Sequence, residues 1–93
     1  MRLLGIDYGT KKIGLALSDP TGFYPAPLSV LANDQNVIKK ISNICTQEEV
    51  GQIIIGRSVN YDRLPNLIAK KVEKFGERLA KELNIQIEYE DET

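Results

Sequence analysis

The sequence predicts an α/β fold with a mixed five-stranded sheet, and three features of the chain support that prediction. Residues 1–19 have the pattern of two strands joined by a tight turn. Residues 53–55 are three consecutive isoleucines followed by Gly56, a run typical of a strand buried on both faces of a parallel sheet. Two stretches with helical spacing alternate with the later strands, which favours layers of helix and sheet.

Length, charge and composition exclude several classes of function. The 93 residues predict one domain over residues 1–93, and the net charge of −1 gives no overall basic field for binding nucleic acid. Cys45 is the only cysteine and histidine is absent, which excludes an internal disulfide, a Cys–His nucleophile pair and the common zinc sites. We expect a cytoplasmic protein with no membrane partner, because neither a membrane span nor a leader segment is recognisable.

The first hairpin places one acidic residue, Asp7, at the end of a strand. Residues 3–6 are mainly apolar, Gly9 and Thr10 supply a tight reversal, and residues 13–17 alternate as a second strand does. Two interpretations of Asp7 are open at this point. It is either a turn aspartate bonded to its own backbone, or a metal-binding carboxylate held by the hairpin.

The middle of the chain predicts a loop, a short strand and a helix. Four turn-forming residues mark the loop, and a short third strand follows at 28–31, at a sheet edge because Pro27 precedes it. Asn33 or Asp34 is expected to cap the helix that follows. The apolar face of that helix consists of Val37, Ile38, Ile41, Ile44 and Cys45, with Cys45 a small buried apolar residue.

The last third of the chain predicts a loop, a long helix and a final strand. The loop leaves the carboxyl end of the buried strand, where α/β proteins tend to bind ligands. Asp62 is a candidate cap for the helix, whose first turn tolerates Pro65 and which ends near Asn84. The apolar stripe of the helix is Ile68, Val72, Phe75, Leu79 and Leu83. The final strand alternates Ile85, Ile87 and Tyr89 with polar residues and ends in Asp91 and Glu92.

The string DYGTKKIGLALSDP resembles the opening motif of the YqgF/RuvX family of Holliday-junction-resolvase-like proteins. The matching positions are Asp7, Gly9, Thr10, Lys11, Ile13, Gly14, Ala16, Ser18 and Asp19, while Lys12 stands where the family usually has arginine. The loop after the isoleucines is similar to the family pattern at Gly56, Val59, Asn60 and Asp62, and departs from it at Arg57, Ser58 and Arg63. Asp91 and Glu92 match the family's Asp-Glu-Arg, with Thr93 in place of the arginine.

The resemblance implies a ribonuclease H-like fold, in which the first three strands of the mixed sheet are antiparallel and helices pack on the sheet. It also implies a metal-dependent nuclease acting on structured RNA, in 5′-end processing of pre-16S rRNA. It covers the chain but not the family's C-terminal part, so we expect a C-terminally truncated domain. Two alternatives stay within nucleic-acid binding: a catalytically inactive binding module and a Holliday-junction DNA resolvase, with branched DNA as partner. A third is an ATP-binding phosphotransferase related to actin and hexokinase, whose domains also open on Asp-x-Gly-Thr.

The resemblance also implies a set of site residues. Asp7 and Glu92 would bind Mg²⁺ or Mn²⁺, with Asp91 as the alternative to Glu92, since neighbouring strand residues face opposite ways. The two carboxylates converge if their strands both run parallel to the isoleucine strand as its neighbours. Candidate contacts to nucleic acid are Lys11, Lys12, Arg57, Asn60 and Arg63. The oligomeric state is left open.

Overall fold

The computed structural model describes residues 1–57 and 65–91 of the chain. Its elements, in chain order, are β1 (Arg2–Tyr8), β2 (Lys12–Leu17), β3 (Ala26–Ala32), α1 (Val37–Gln47), β4 (Val50–Arg57), α2 (Pro65–Leu83) and β5 (Gln86–Asp91). Each strand and helix expected from the sequence is present, so the predicted α/β fold is confirmed. Among the described residues, the helices are too short or too polar to cross a membrane.

The five strands form one mixed sheet in the order β3-β2-β1-β4-β5. The pairs β1–β2 and β2–β3 are antiparallel, as expected for the first three strands. The pairs β1–β4 and β4–β5 are parallel. Because β4 lies between β1 and β5 and runs parallel to both, the carboxyl ends of these three strands lie at one edge of the sheet. This is the arrangement that the predicted convergence of acidic residues from β1 and the end of β5 requires.

Both helices pack on the same face of the sheet. The strand residues that face them alternate along each strand, and β1 contributes Leu4, Ile6 and Tyr8 to the buried core. The described residues of the two predicted helical stripes supply the other half of the core, including Ile41 of α1 and Leu79 of α2, both fully buried. We name the opposite face, which carries Asp7 and the exposed Val30, the open face.

Helix α1 begins differently from the sequence prediction. Its N-cap is Asn36, and that side chain forms no capping hydrogen bond. Asp34 instead stabilises the turn that precedes the helix. Its Oδ1 accepts a hydrogen bond from the Asn36 N–H at 2.9 Å, and its carbonyl accepts one from the Val37 N–H at 3.2 Å. The expectation that Asn33 or Asp34 is the cap is therefore wrong by three or two residues, and Asn33 makes its contacts elsewhere.

Ser18 and Asp19, the last two matching residues of the family motif, stabilise the segment that follows β2 through hydrogen bonds. The buried Ser18 hydroxyl accepts from the Leu3 N–H at 2.8 Å and donates to the Asp19 carbonyl at 2.9 Å. Asp19 Oδ1 accepts from the Thr21 hydroxyl and from the Thr21 and Phe23 N–H groups. These hydrogen bonds lower the pKa of Asp19, and the bond from the Thr21 hydroxyl has the largest effect. The loop therefore loses this support as pH falls through that lowered pKa.

Helix α2 approaches β5 very closely at Gly76. The Tyr89 hydroxyl of β5 occupies the space that a Cβ at position 76 would take, and Gly76 is buried. The helix ends at Leu83, and Asn84 then adopts a left-handed conformation with φ of 53°, as expected for a residue after a helix end. A glycine inside a helix lowers helix stability, so this one is explained by the approach of Tyr89.

Substitution G76A is expected to destabilise the protein by about 1–3 kcal/mol through overpacking against Tyr89. The same substitution in a Y89A background is expected to be neutral or stabilising by up to about 1 kcal/mol, because alanine is the better helix former. Urea unfolding of the four variants in a double-mutant cycle measures both effects. Equal destabilisation in both backgrounds would show that Tyr89 is not the obstacle.

Cys45 is expected to be chemically inert in the folded protein. It is 3% exposed, and burial raises the pKa of its thiol to about 11. Native-state alkylation by iodoacetamide should therefore be far slower than alkylation in urea. Because the unfolded thiol ionises at lower pH than the folded one, the free energy of unfolding should fall as pH rises from about 9 to about 11. C45A is the control, since this part of the pH dependence should be absent from it.

Candidate active site

Asp7 is a residue of the β1 ladder and not of the turn that follows. It lies opposite Gly14 of β2 and Gly56 of β4, and its side chain is exposed. The strand continues to Tyr8, which pairs with Ile13 and closes the hairpin. The interpretation of Asp7 as a turn aspartate bonded to its own backbone is therefore wrong, and the carboxylate is available to a ligand.

The neighbours of Asp7 along β1 fix the face on which its side chain lies. Ile6 and Tyr8 are 2% and 8% exposed and belong to the core under the helices. The ring of Tyr8 meets that of Phe75 in α2 edge to face, with the centroids 5.2 Å apart. Because successive strand side chains alternate, burying both neighbours places Asp7 on the open face.

A single cross-strand row contains Asp7 and a second acidic residue. Following the register across the sheet, the row consists of Val30, Gly14, Asp7, Gly56 and Glu90. We call it the carboxylate row. Since both direct neighbours of Asp7 are glycines, no side chain stands beside it on either strand. The next side chain towards β5 is the exposed carboxylate of Glu90.

The carboxylate row crosses a groove of about 560 Å³ on the open face. Asp7 and Glu90 both line this groove, together with Val30 and Ile54. In the part of the chain that the structure describes, the ion pair present is Arg2–Glu48, at 3.5 Å, so neither groove carboxylate is paired with a cation there.

The donor set of the groove suits a hard divalent cation. Mg²⁺ and Mn²⁺ prefer oxygen ligands, and Mg²⁺ usually takes one or two carboxylates together with phosphate and water. Within residues 1–57 and 65–91, no group of three or more acidic, cysteine or histidine side chains comes together. The two carboxylates of the row supply oxygen donors of the kind that such a cation prefers.

The sequence-predicted acids of β5 are placed only in part. Asp91 lies opposite Arg57, which in turn lies opposite Tyr8, so it belongs to the row after the carboxylate row. Glu92 lies outside the described residues. The convergence of Asp7 with the end of β5 is confirmed at the level of the strands, while the choice between Asp91 and Glu92 stays a prediction.

The predicted nucleic-acid contacts are also placed in part. Lys11 and Lys12 are exposed at the β1–β2 hairpin, at the sheet edge where β1 ends. Arg57 is the last residue of β4 and reaches the same edge. Asn60 and Arg63 lie outside the described residues. The three predicted contacts that the structure describes, at positions 11, 12 and 57, thus lie at the edge of the sheet nearest to Asp7.

Two residues of the site were missed by sequence reasoning. Glu90 lies on the polar side of an alternating strand, as Glu88 does, and only the β4–β5 register shows which of them shares a row with Asp7. Asn33 ties down the hairpin, because its amide donates to the Gly9 carbonyl and its backbone N–H donates to the Lys11 carbonyl, both at 2.9 Å. No local sequence pattern predicts the hydrogen bond from Asn33 to Gly9, because the two residues lie far apart in the sequence.

Comparison with known proteins gives a family match over the whole chain. The family model described as RuvX: Holliday junction resolvase matches residues 1–93. A protein of Clostridium acetobutylicum, named "Putative pre-16S rRNA nuclease", is 36% identical over 94 residues, covering 99% of this chain and 70% of that protein. The chain spans 62–70% of the length of this and a further curated relative of the same name.

Solved structures with the same fold include nucleases and kinases. T. thermophilus RuvC in complex with a Holliday junction substrate superposes with a TM-score of 0.69 at 15% identity, covering 98% of this chain and 64% of that one. A ROK hexokinase from Thermus thermophilus superposes with a TM-score of 0.55 at 15% identity, covering 98% and 34%. At such identities the likeness establishes the ribonuclease H-like fold and leaves the chemistry to the site.

Substitution N33A is expected to lower the free energy of unfolding by about 1 kcal/mol, because the Gly9 carbonyl loses its side-chain donor. N33D should destabilise more than N33A, since it sets a carboxylate oxygen against the carbonyl oxygen. Urea unfolding measures both changes against the unaltered protein. The assignment fails if N33A and N33D unfold at the same urea concentration as the unaltered protein.

Proposed function

The chain belongs to the family described as RuvX, Holliday junction resolvase, and we propose that it is a divalent-metal-dependent nuclease of structured RNA. The proposed reaction is hydrolysis of phosphodiester bonds at the 5′ end of pre-16S rRNA. It is supported by the name of the curated relatives, "Putative pre-16S rRNA nuclease". The observation that carries the proposal is the exposed carboxylate of Asp7, which stands between two glycines in a groove open to a polymer.

Asp7 and Glu92 are the proposed metal-binding residues, with Asp91 as the alternative to Glu92 and Mg²⁺ or Mn²⁺ as the ion. A bound divalent cation would supply activation of the attacking water and stabilisation of the leaving oxygen. Asp7 suits its task because β1 is hydrogen-bonded on both sides and its neighbours Ile6 and Tyr8 are buried. A carboxylate on such a rigid strand keeps its position while substrate binds and leaves.

Substrate binding is assigned to the sheet edge at which β1 and β4 end. The exposed Lys11 and Lys12 flank the groove at the hairpin, where their ammonium groups would neutralise backbone phosphates. Arg57, Asn60 and Arg63 are proposed to extend this contact, since guanidinium groups bind phosphate oxygens in a bidentate manner. The small net charge of the chain means that binding depends on this local group and not on the overall field.

Two other functions have a specific observation in their favour. Cleavage of branched DNA is favoured by the description of the family and by the likeness to RuvC. Phosphotransfer from ATP is favoured only by the shared fold of the ROK hexokinase. Cleavage of a four-way DNA junction in preference to pre-16S rRNA would select the first, and ATP binding at micromolar concentration would select the second.

Substitution D7N is expected to abolish metal-dependent cleavage, lowering the rate by at least about a hundredfold, while leaving RNA binding within about twofold. The amide has nearly the shape of the carboxylate but lacks the charge that holds a hard cation. Cleavage of a 5′-extended 16S rRNA precursor is measured with Mg²⁺ or Mn²⁺ and with a chelator, and binding is measured by gel shift.

D34N is the matched control, since Asp34 is exposed, lies away from the groove and keeps a side-chain acceptor for the Asn36 N–H as asparagine. It should cleave as the unaltered protein does. Full cleavage by D7N would remove Asp7 from the reaction. RNA binding without cleavage by the unaltered protein would select the inactive binding module.

A further inference from the structure

Glu90 holds a position in the groove that the family resemblance does not assign. It faces Gly56 across the β4–β5 pair, and Gly56 faces Asp7 across the β1–β4 pair. Glu90 and Asp7 line the same groove, and both are exposed. The residues that match the family at the end of the chain are Asp91 and Glu92, so Glu90 is an additional carboxylate, on the side of the sheet that carries Asp7.

The spacing of the strands allows the two carboxylates to share an ion. Two strand separations place the backbones at positions 7 and 90 about 9.6 Å apart. The strand between them contributes only a glycine, so neither side chain is blocked from leaning across it. A divalent cation binds oxygens at about 2.1 Å, so the carboxylate oxygens must come within about 4 Å of one another. Glu90 has a longer side chain than Asp7, so Glu90 would bridge most of the distance between the two backbones.

The other acidic residue on the same face of β5 lacks these features. Glu88 lies opposite Ile54, and Ile54 lies opposite Gly5, so Glu88 belongs to the preceding row. An isoleucine side chain, not a glycine, occupies the strand between Glu88 and β1. Glu88 therefore carries the same charge on the same exposed strand without a clear path to Asp7, which makes it a matched comparison.

We propose that Glu90 supplies a further carboxylate ligand, beyond Asp7 and the acid proposed at the end of β5, to the divalent cation bound at Asp7, reaching it across Gly56. This inference rests on the proposed function, because it takes Asp7 as a metal-binding residue. It adds that β5 contributes to the site from within the strand. Asp7 and Glu90 would then hold the ion together, and water and phosphate oxygens would complete its coordination.

The test measures the affinity of the protein for Mn²⁺ in the absence of substrate. The titration is monitored by calorimetry and by water-proton relaxation. The variants are D7N, E90Q, E90D and E88Q, and urea unfolding checks that each keeps the stability of the unaltered protein. E90Q is expected to weaken Mn²⁺ binding about tenfold or more, and E88Q less than about twofold. E90D should resemble E90Q, because it restores the charge but not the reach.

Each other outcome overturns a distinct part of the inference. If D7N loses Mn²⁺ binding and E90Q does not, Glu90 is not a ligand and the proposed function stands. If E90Q and E88Q weaken binding equally, or E90D restores it fully, Glu90 acts only as a nearby charge and the inference fails. If D7N binds Mn²⁺ as the unaltered protein does, or none of the proteins binds it, both the inference and the metal site at Asp7 fail.

Discussion

The alternation of β1 is the constraint on which the rest of the structure depends. β1 is the middle strand of the sheet, and its residues Leu4, Ile6 and Tyr8 lie in the core. A slip of one residue would expose all three and bury the carboxylate of Asp7 under the helices. Since burying each such side chain is worth about 1.5–3 kcal/mol, the register that places Asp7 on the open face is fixed by several kcal/mol.

Packing does not require glycine at positions 14 and 5. A Cβ at Gly14 would lie 3.6 Å from the Cβ of Asp7, and one at Gly5 would lie 3.8 Å from the Ala16 carbonyl oxygen, both ordinary contact distances. The fold has room for alanine at either position, although glycine weakens a strand. At position 14, glycine leaves the space next to the Asp7 carboxylate on β2 free of a side chain. Gly76 is the opposite case, since Tyr89 fills the space beside it.

The features that were predictable from the sequence are those that local periodicity encodes. The three isoleucines of β4 and the helical stripes that include Val72 and Phe75 are visible in the chain because each depends on neighbouring residues only. Glu90 was not predictable, because its row depends on the register between β4 and β5. Asn33 was mistaken for a helix cap because the bond that it makes to Gly9 joins two segments distant in sequence.

The two carboxylates of the carboxylate row differ in how firmly the fold holds them. Asp7 lies on a strand that is paired on both sides, whereas Glu90 lies on β5, which is paired only with β4 at the edge of the sheet. The packing of β5 on α2 is partial, since Tyr89 remains 50% exposed. A site built in this way has one carboxylate fixed by the core and another free to adjust. If both carboxylates hold the proposed cation, the one on the edge strand would have the greater freedom to adjust its position.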